Sequence, residues 1–172
     1  MVTATLARSG MKPADILARA NAVLETVADP ELPFLTVSDM GILRDVRIAG
    51  DTLEVAITPT YSGCPAMDII ALDISTALAK AGFHRVRINR VLSPAWTTDW
   101  LSAAAREKLR ANGIAPPERA EGKRALFAEA EVACPSCGSK STGRVSEFGS
   151  TACKAQYRCR SCGEPFQYFK CI

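Results

Sequence analysis

The chain has 172 residues, 48% of them hydrophobic and 23% charged, enough for one ordinary folded domain and a small second one. Its 21 Lys and Arg against 18 Asp and Glu leave a net charge of +3, too even to argue by itself for nucleic-acid or membrane binding. No apolar run is long enough to span a bilayer, and the start, MVTATLARSGMKP, lacks the apolar core of a secretory signal, so a cytoplasmic address is expected.

In chain order, residues 1–12 read as a loose terminus. PADILARANAVLETVAD then reads as a helix: Pro13 suits the first turn, and Ile16, Ala20, Val23 and Val27 recur at helical spacing. The segment Asp29 to Pro33, DPELP, breaks it with two prolines. LRDVRIAGDTLEVAITP reads as a hairpin turning at Gly50-Asp51, with Val46 and Ile48 on one face and Leu53, Val55 and Ile57 on the other strand's matching face. PAMDIIALDISTALAKAG carries the stripe Met67, Ile70, Ile74 and Leu78, widened by Ile69, Ala71 and Leu72, which predicts a helix buried on most of its circumference. RVRINRVL is a third strand, parallel to the second because a helix intervenes. DWLSAAAREKLRANG is a last helix closed by Gly113. Pro, Gly and charge dominate GIAPPERAEGKR, a linker, and beyond it cysteine, glycine and aromatic residues become dense. The expected organisation is a domain over 13–113, a linker over 114–124 and a small β-rich domain over 125–172.

Seven cysteines in a reducing compartment point to metal or thiol chemistry rather than disulfides, and the odd count agrees. Four form two copies of one knuckle, CPSCG from Cys134 to Gly138 and CRSCG from Cys159 to Gly163. C-x2-C places two sulfurs on one tight turn, and the following glycine permits the left-handed backbone that turn needs. Cys134, Cys137, Cys159 and Cys162 therefore read as a four-thiolate zinc ribbon with one structural zinc per chain, with a single rubredoxin-like iron as the rival. So small a domain cannot bury enough core alone, so the metal supplies its folding energy. Cys153 and Cys171 are left over, either as small buried hydrophobes or as a second thiol site.

Cys64 stands apart, in TYSGCPAMDII, where Pro65 suits a first helical position and makes Cys64 the expected N-cap. A sulfur there faces unpaired amides and the positive end of the helix dipole, which favours the thiolate and lowers its pKa. The alternative is a buried cysteine that merely caps the helix. Gly63 opens the approach, and the hydroxyls of TPTYSG line the rim. No catalytic partner is evident: His84, the one histidine, reads as a solvated loop residue, and Trp96 and Trp100 read as core anchors.

DPELPFLTVSDMGILRDV, TPTYSGCPAMD and SPAWTTDWLSAAAREKL resemble the iron–sulfur cluster assembly domain family, small metal–sulfur cluster maturation factors, over about residues 13 to 113. The resemblance implies a small α+β domain (helix, hairpin, helix, strand, helix). It places the family's reactive cysteine, a ligand for iron, on Cys64 and the acidic loop on Asp29, Pro30 and Glu31. Asp39 and Gly41 fall in the VSDMGI segment, and Thr60 in the TPTYSGC loop. The added ribbon and the FGSTACKA…EPFQYFKC ending resemble a narrower family, the small proteins encoded with the phenylacetyl-CoA epoxidase of phenylacetate degradation. That implies a non-catalytic role in maturing a multicomponent monooxygenase, with its diiron oxygenase or its iron–sulfur reductase as partner, and with iron or an iron–sulfur cluster as transient cargo. A cluster needs four ligands and this domain offers only Cys64, so a homodimer, a client protein or a small thiol must complete the site. Two rival readings are a thiol-dependent transferase or oxidoreductase with Cys64 as nucleophile, and a pure scaffold in which Cys64 is structural.

Overall fold

The computed structural model describes residues 11–61, 63–117 and 132–170. Most of the expected loose N-terminus, residues 118–124 of the expected linker, residues 125–131 at the start of the expected β-rich domain and Cys171 lie outside them. The chain forms two compact units, one running to Trp96 and the other from Thr97.

The first unit is α+β. Helix α1, Pro13–Leu24, opens with proline at its first position and buries Ile16, Ala20 and Leu24. Strands β1, Leu43–Ala49, and β2, Thr52–Ile57, form an antiparallel hairpin in which Ala49 faces Thr52. Gly50 turns it with φ +63°, a conformation that favours glycine. Helix α2, Ala66–Lys80, leads to β3, Val86–Arg90, which pairs with β2 in parallel, as the intervening helix requires. The sheet order is β1-β2-β3. Leu53, Val55 and Ile57 are fully buried beneath the helices, as are Ile70, Ile74 and Leu78 of α2. On the opposite face Arg47 and Arg87 reach Glu54 from both sides, at 2.7 and 3.0 Å. The Arg47 hydrogen bond, with the charges of both arginines, holds the Glu54 carboxyl below its usual pKa against the opposing effect of burial.

Helix α2 departs from the expected burial on most of its circumference. Ile69 is 51% and Leu72 65% exposed. Its apolar residues fall on two opposed faces, and only the one carrying Met67, Ile70, Ile74 and Leu78 packs on the sheet.

In the second unit a 3-10 turn, Thr98–Trp100, precedes α3, Ala103–Ala111, whose N-cap Ser102 accepts the Ala105 amide. Two-residue β4, Ile114–Ala115, follows directly and pairs in parallel with β7, Pro165–Phe169. With β5, Thr142–Ser146, and β6, Lys154–Cys159, the sheet order is β4-β7-β6-β5. Ile114 and Ala115, expected to begin the linker, are buried at this sheet edge. The compact second unit therefore takes in α3, which the sequence grouped with the first domain. Ala115, Val132, Phe166 and Tyr168 pack with Cys134 and Cys159 into one small core, against which Tyr157 lies.

Candidate functional site

Among the described residues one place gathers metal-ligating side chains, the ribbon, and a second holds the lone thiol Cys64. In the ribbon, the loop before β5 carries the first knuckle and the β6–β7 connection the second. The two are built alike: the Cys134 amide donates to Ser139 and Gly138 donates back to Cys134, while Cys159 donates to Glu164 and Gly163 donates back to Cys159. Gly138 and Gly163 hold φ +74° and +80°, the left-handed turns their positions after C-x2-C call for. Ser139 and Ser161 hydroxyls, 2.7 Å apart, tie the two turns together, a contact that the knuckle spacing alone did not announce.

The four sulfurs lie within 4.8 Å of one another, the pairs Cys134–Cys162 and Cys137–Cys159 at 3.8 and 3.6 Å. A tetrahedron with metal–sulfur distances of about 2.3 Å has edges of about 3.8 Å, which these two sulfur pairs already match. Cys134 and Cys159 are buried and Cys137 and Cys162 exposed. The Cys162 amide, with that of Ser161 and two neighbouring thiols, pulls Cys159 down to about 6 against burial. The Ser139 and Glu164 amides favour the thiolates of Cys137 and Cys162, but neighbouring sulfurs and burial outweigh them and raise both, Cys162 to about 12. One thiolate forms at the expense of its neighbours, as expected where four sulfurs crowd and a bound metal cation is needed to hold all four ionised.

The second place surrounds Cys64. Among the described residues the ribbon set is the only group of three or more Cys, His, Asp or Glu with ligand atoms close enough to share one ion, so Cys64 stands outside any such cluster. The loop from β2 carries Cys64 to the start of α2, which is counted from Ala66, with Pro65 rather than Cys64 at the cap. The Cys64 amide donates to Tyr61 O at 3.1 Å, and its carbonyl accepts the Met67 amide at 3.4 Å. Its sulfur receives the Ala66 amide and the Tyr61 side chain, as the position before a helix and the hydroxyl-bearing rim led one to expect.

The charge state does not follow that expectation. Burial pushes the Cys64 thiol above its usual pKa. The carboxylates of Glu31 and Asp29 add to the effect, and the Ala66 amide and Tyr61 only partly offset it. The helix dipole could be anticipated from Pro65, whereas the acidic loop comes near only in the folded chain. That loop is built to stay in place. Asp29 donates its amide to Leu35 at 2.8 Å, and an isolated bridge joins Ala28 to Thr36. The buried Asp29 carboxylate accepts the amides of Glu31 and Leu32, each at 2.8 Å, and Leu32 anchors the loop in the core. Asp29 thus braces the loop and Glu31 projects from it.

Of the other expected residues, Asp39 closes its own turn: it accepts the Thr36 amide at 3.2 Å while the Thr36 hydroxyl accepts the Asp39 amide at 3.1 Å. Thr60 is buried in the loop ahead of Cys64. Cys153 is a buried residue with its sulfur 3.0 Å from the Thr151 hydroxyl. His84 is exposed beyond α2, and Trp96 is a buried anchor whose indole donates to Met40 O at 2.9 Å.

A small α+β domain with a thiol at a helix start, joined to a four-cysteine ribbon, defines an iron–sulfur cluster assembly domain carrying a zinc ribbon. Family models agree in both halves: "Iron-sulfur cluster assembly protein" matches residues 17–88 and "PaaD zinc beta ribbon domain" residues 118–170. An Escherichia coli K12 protein named as a component of 1,2-phenylacetyl-CoA epoxidase is 50% identical over 151 residues, 88% of this chain and 90% of that one. The chain belongs to the family of that epoxidase component, the PaaD family. An "Fe-S protein maturation auxiliary factor" of Porphyromonas gingivalis is 34% identical over 85 residues, 48% of this chain and 80% of that one. The crystal structure of a domain of unknown function from Bacillus anthracis superposes with a TM-score of 0.53 at 26% identity, over 56% of this chain and 93% of that one. Among the described residues no helix is long and apolar enough to cross a membrane.

Proposed function

We propose that the protein is a non-catalytic maturation factor for the multicomponent phenylacetyl-CoA epoxidase, in which Cys64 transiently holds iron or an iron–sulfur cluster bound for the diiron oxygenase or the iron–sulfur reductase. The observation that carries this reading is a half-buried thiol at the start of α2 that feels, besides burial, the negative charges of Glu31 and Asp29. Negative charges that raise a thiol's pKa also attract a cation, so the groups that keep Cys64 protonated when empty favour its exchange of a proton for a metal. A half-buried thiol of raised pKa makes a poor nucleophile at neutral pH, and the chain's single histidine is exposed in a loop, which weighs against a thiol-dependent enzyme. The relatives named as a maturation factor and as an epoxidase component support an accessory role.

In the ribbon, Cys134, Cys137, Cys159 and Cys162 hold one structural zinc that folds a docking module for the client. Zinc supplies a closed shell with no open position for chemistry. Cargo held at Cys64 takes its remaining ligands from the client or a small thiol.

The test is metal and sulfide analysis of full-length protein prepared without oxygen after incubation with ferrous iron, sulfide and a small thiol that can complete the ligand set. Wild type should retain zinc plus iron, and Cys64→Ser zinc alone. Equal iron in both would remove Cys64 from the proposal.

A further inference from the structure

The outer face of α2 points to a second copy of this chain. Ile69 and Leu72 are 51% and 65% exposed, far more than large aliphatic side chains on a packed helix, and Asp73, Thr76, Ala79 and Lys80 are exposed on the same face. At 100° per residue these six side chains fall within about a third of the circumference, opposite the buried row of Met67, Ile70, Ile74 and Leu78.

Both size and charge along this face are polarised. Its first half carries the bulky Ile69 and Leu72 with the acidic Asp73, and its second half the small Thr76 and Ala79 with the basic Lys80. Such a face is complementary to itself run backwards. We propose that two copies pair antiparallel through α2, about a two-fold axis at the level of residues 74–76. Ile69 and Leu72 of each copy then lie against Thr76 and Ala79 of the other, where small side chains allow the close approach that ridge-into-groove packing needs. Asp73 and Lys80 are seven residues apart and so share one flank of the helix. The two-fold sets like flanks together, and each Lys80 lies within one turn of the other copy's Asp73.

One helix face buries less than the roughly 800 Å² per partner of a stable complex, so the dimer is weak and depends on concentration. The pairing also fixes what the dimer does not do. Cys64 lies about eleven residues from the axis, which at 1.5 Å per residue separates the two thiols by about 33 Å. The dimer carries two separate Cys64 sites and not one shared between copies.

The experiment is sedimentation equilibrium of the full-length, zinc-loaded protein from micromolar to millimolar concentration. Wild type should move from monomer to dimer mass. Leu72→Asp alters a solvent-facing side chain, should keep the fold by circular dichroism, and should raise the dissociation constant more than about tenfold, because the two-fold removes the contact twice. Asp73→Lys and Lys80→Asp should each weaken the dimer, and the double exchange should restore it. A wild type that stays monomeric, a dimer indifferent to Leu72→Asp, or a double exchange that fails to restore would overturn the pairing. So would a Leu72→Asp variant whose loss appears only in client capture, since that assigns the face to a different partner.

Discussion

Glu31 stands close enough to Cys64 that, after burial itself, its carboxylate is the largest of the influences keeping the thiol protonated. The two residues are far apart in sequence and on different loops, and Asp29 braces the loop that brings them together. Alkylation of Cys64 should therefore climb about tenfold per pH unit through neutrality and level off only above the ordinary thiol pKa. Glu31→Gln should move that profile to lower pH without unfolding the protein. Brief labelling at several pH values, mapped by mass spectrometry, reads both. A profile that levels off below the ordinary thiol pKa in wild type would contradict the assignment of charges.

The ribbon should release protons as it loads. Cys137 and Cys162 are raised above the usual thiol pKa, so each gives up a proton to a metal at pH 7, whereas Cys159, at about 6, is already largely ionised. Affinity for zinc should fall as pH falls through this range. Calorimetric titration of the full-length protein in buffers of different ionisation enthalpy gives the proton count. Release of no protons would mean that the four sulfurs are not the ligands.

Removing one ligand should unfold one unit. Cys137→Ser leaves three thiolates and no closed shell, so amides of β5, β6 and β7 should exchange quickly while those of β2 and α2 stay protected. Loss of protection in both units together would contradict the two-unit organisation.

Trp96 should be an energetic anchor of the first unit. Its ring is buried and its indole N–H is satisfied by Met40 O at 2.9 Å. Trp96→Phe should cost about 1–2 kcal/mol, chiefly the lost hydrogen bond, and Trp96→Ala about 3–5 kcal/mol. Urea unfolding followed by far-UV circular dichroism measures both. Equal costs would mean that the hydrogen bond, and not the packing of the ring, dominates.

The parts of this molecule legible in its sequence are those encoded over short spans. The knuckles announce their sulfur geometry because C-x2-C-G fixes it within five residues, and the β2-α2-β3 order dictates a parallel pair. Position was also legible for Cys64, since Pro65 marks the helix start to within one residue. Its charge state was not, because that depends on burial and on Glu31 and Asp29, which only the folded chain brings near. The outer face of α2 misled for a related reason: apolar residues on both sides of a helix give no sign of which side the sheet will cover. The placement of Ile114 and Ala115 in the ribbon sheet rests on pairing with Gln167 and Tyr168, and nothing in the proline-rich neighbourhood signals a strand.

The central claim is that Cys64 carries metal to the epoxidase, and one measurement bears on it most directly: iron and sulfide per epoxidase complex isolated from cells whose only copy of this protein is Cys64→Ser. Serine keeps the size of the side chain beside the helix start and loses only the soft ligand, so the protein should accumulate normally. The complex should assemble with low iron or cluster content in its diiron or reductase component, and growth on phenylacetate should fail while growth on glucose continues. Full metal occupancy and full epoxidase activity in that strain would contradict delivery through Cys64 and leave the protein a scaffold.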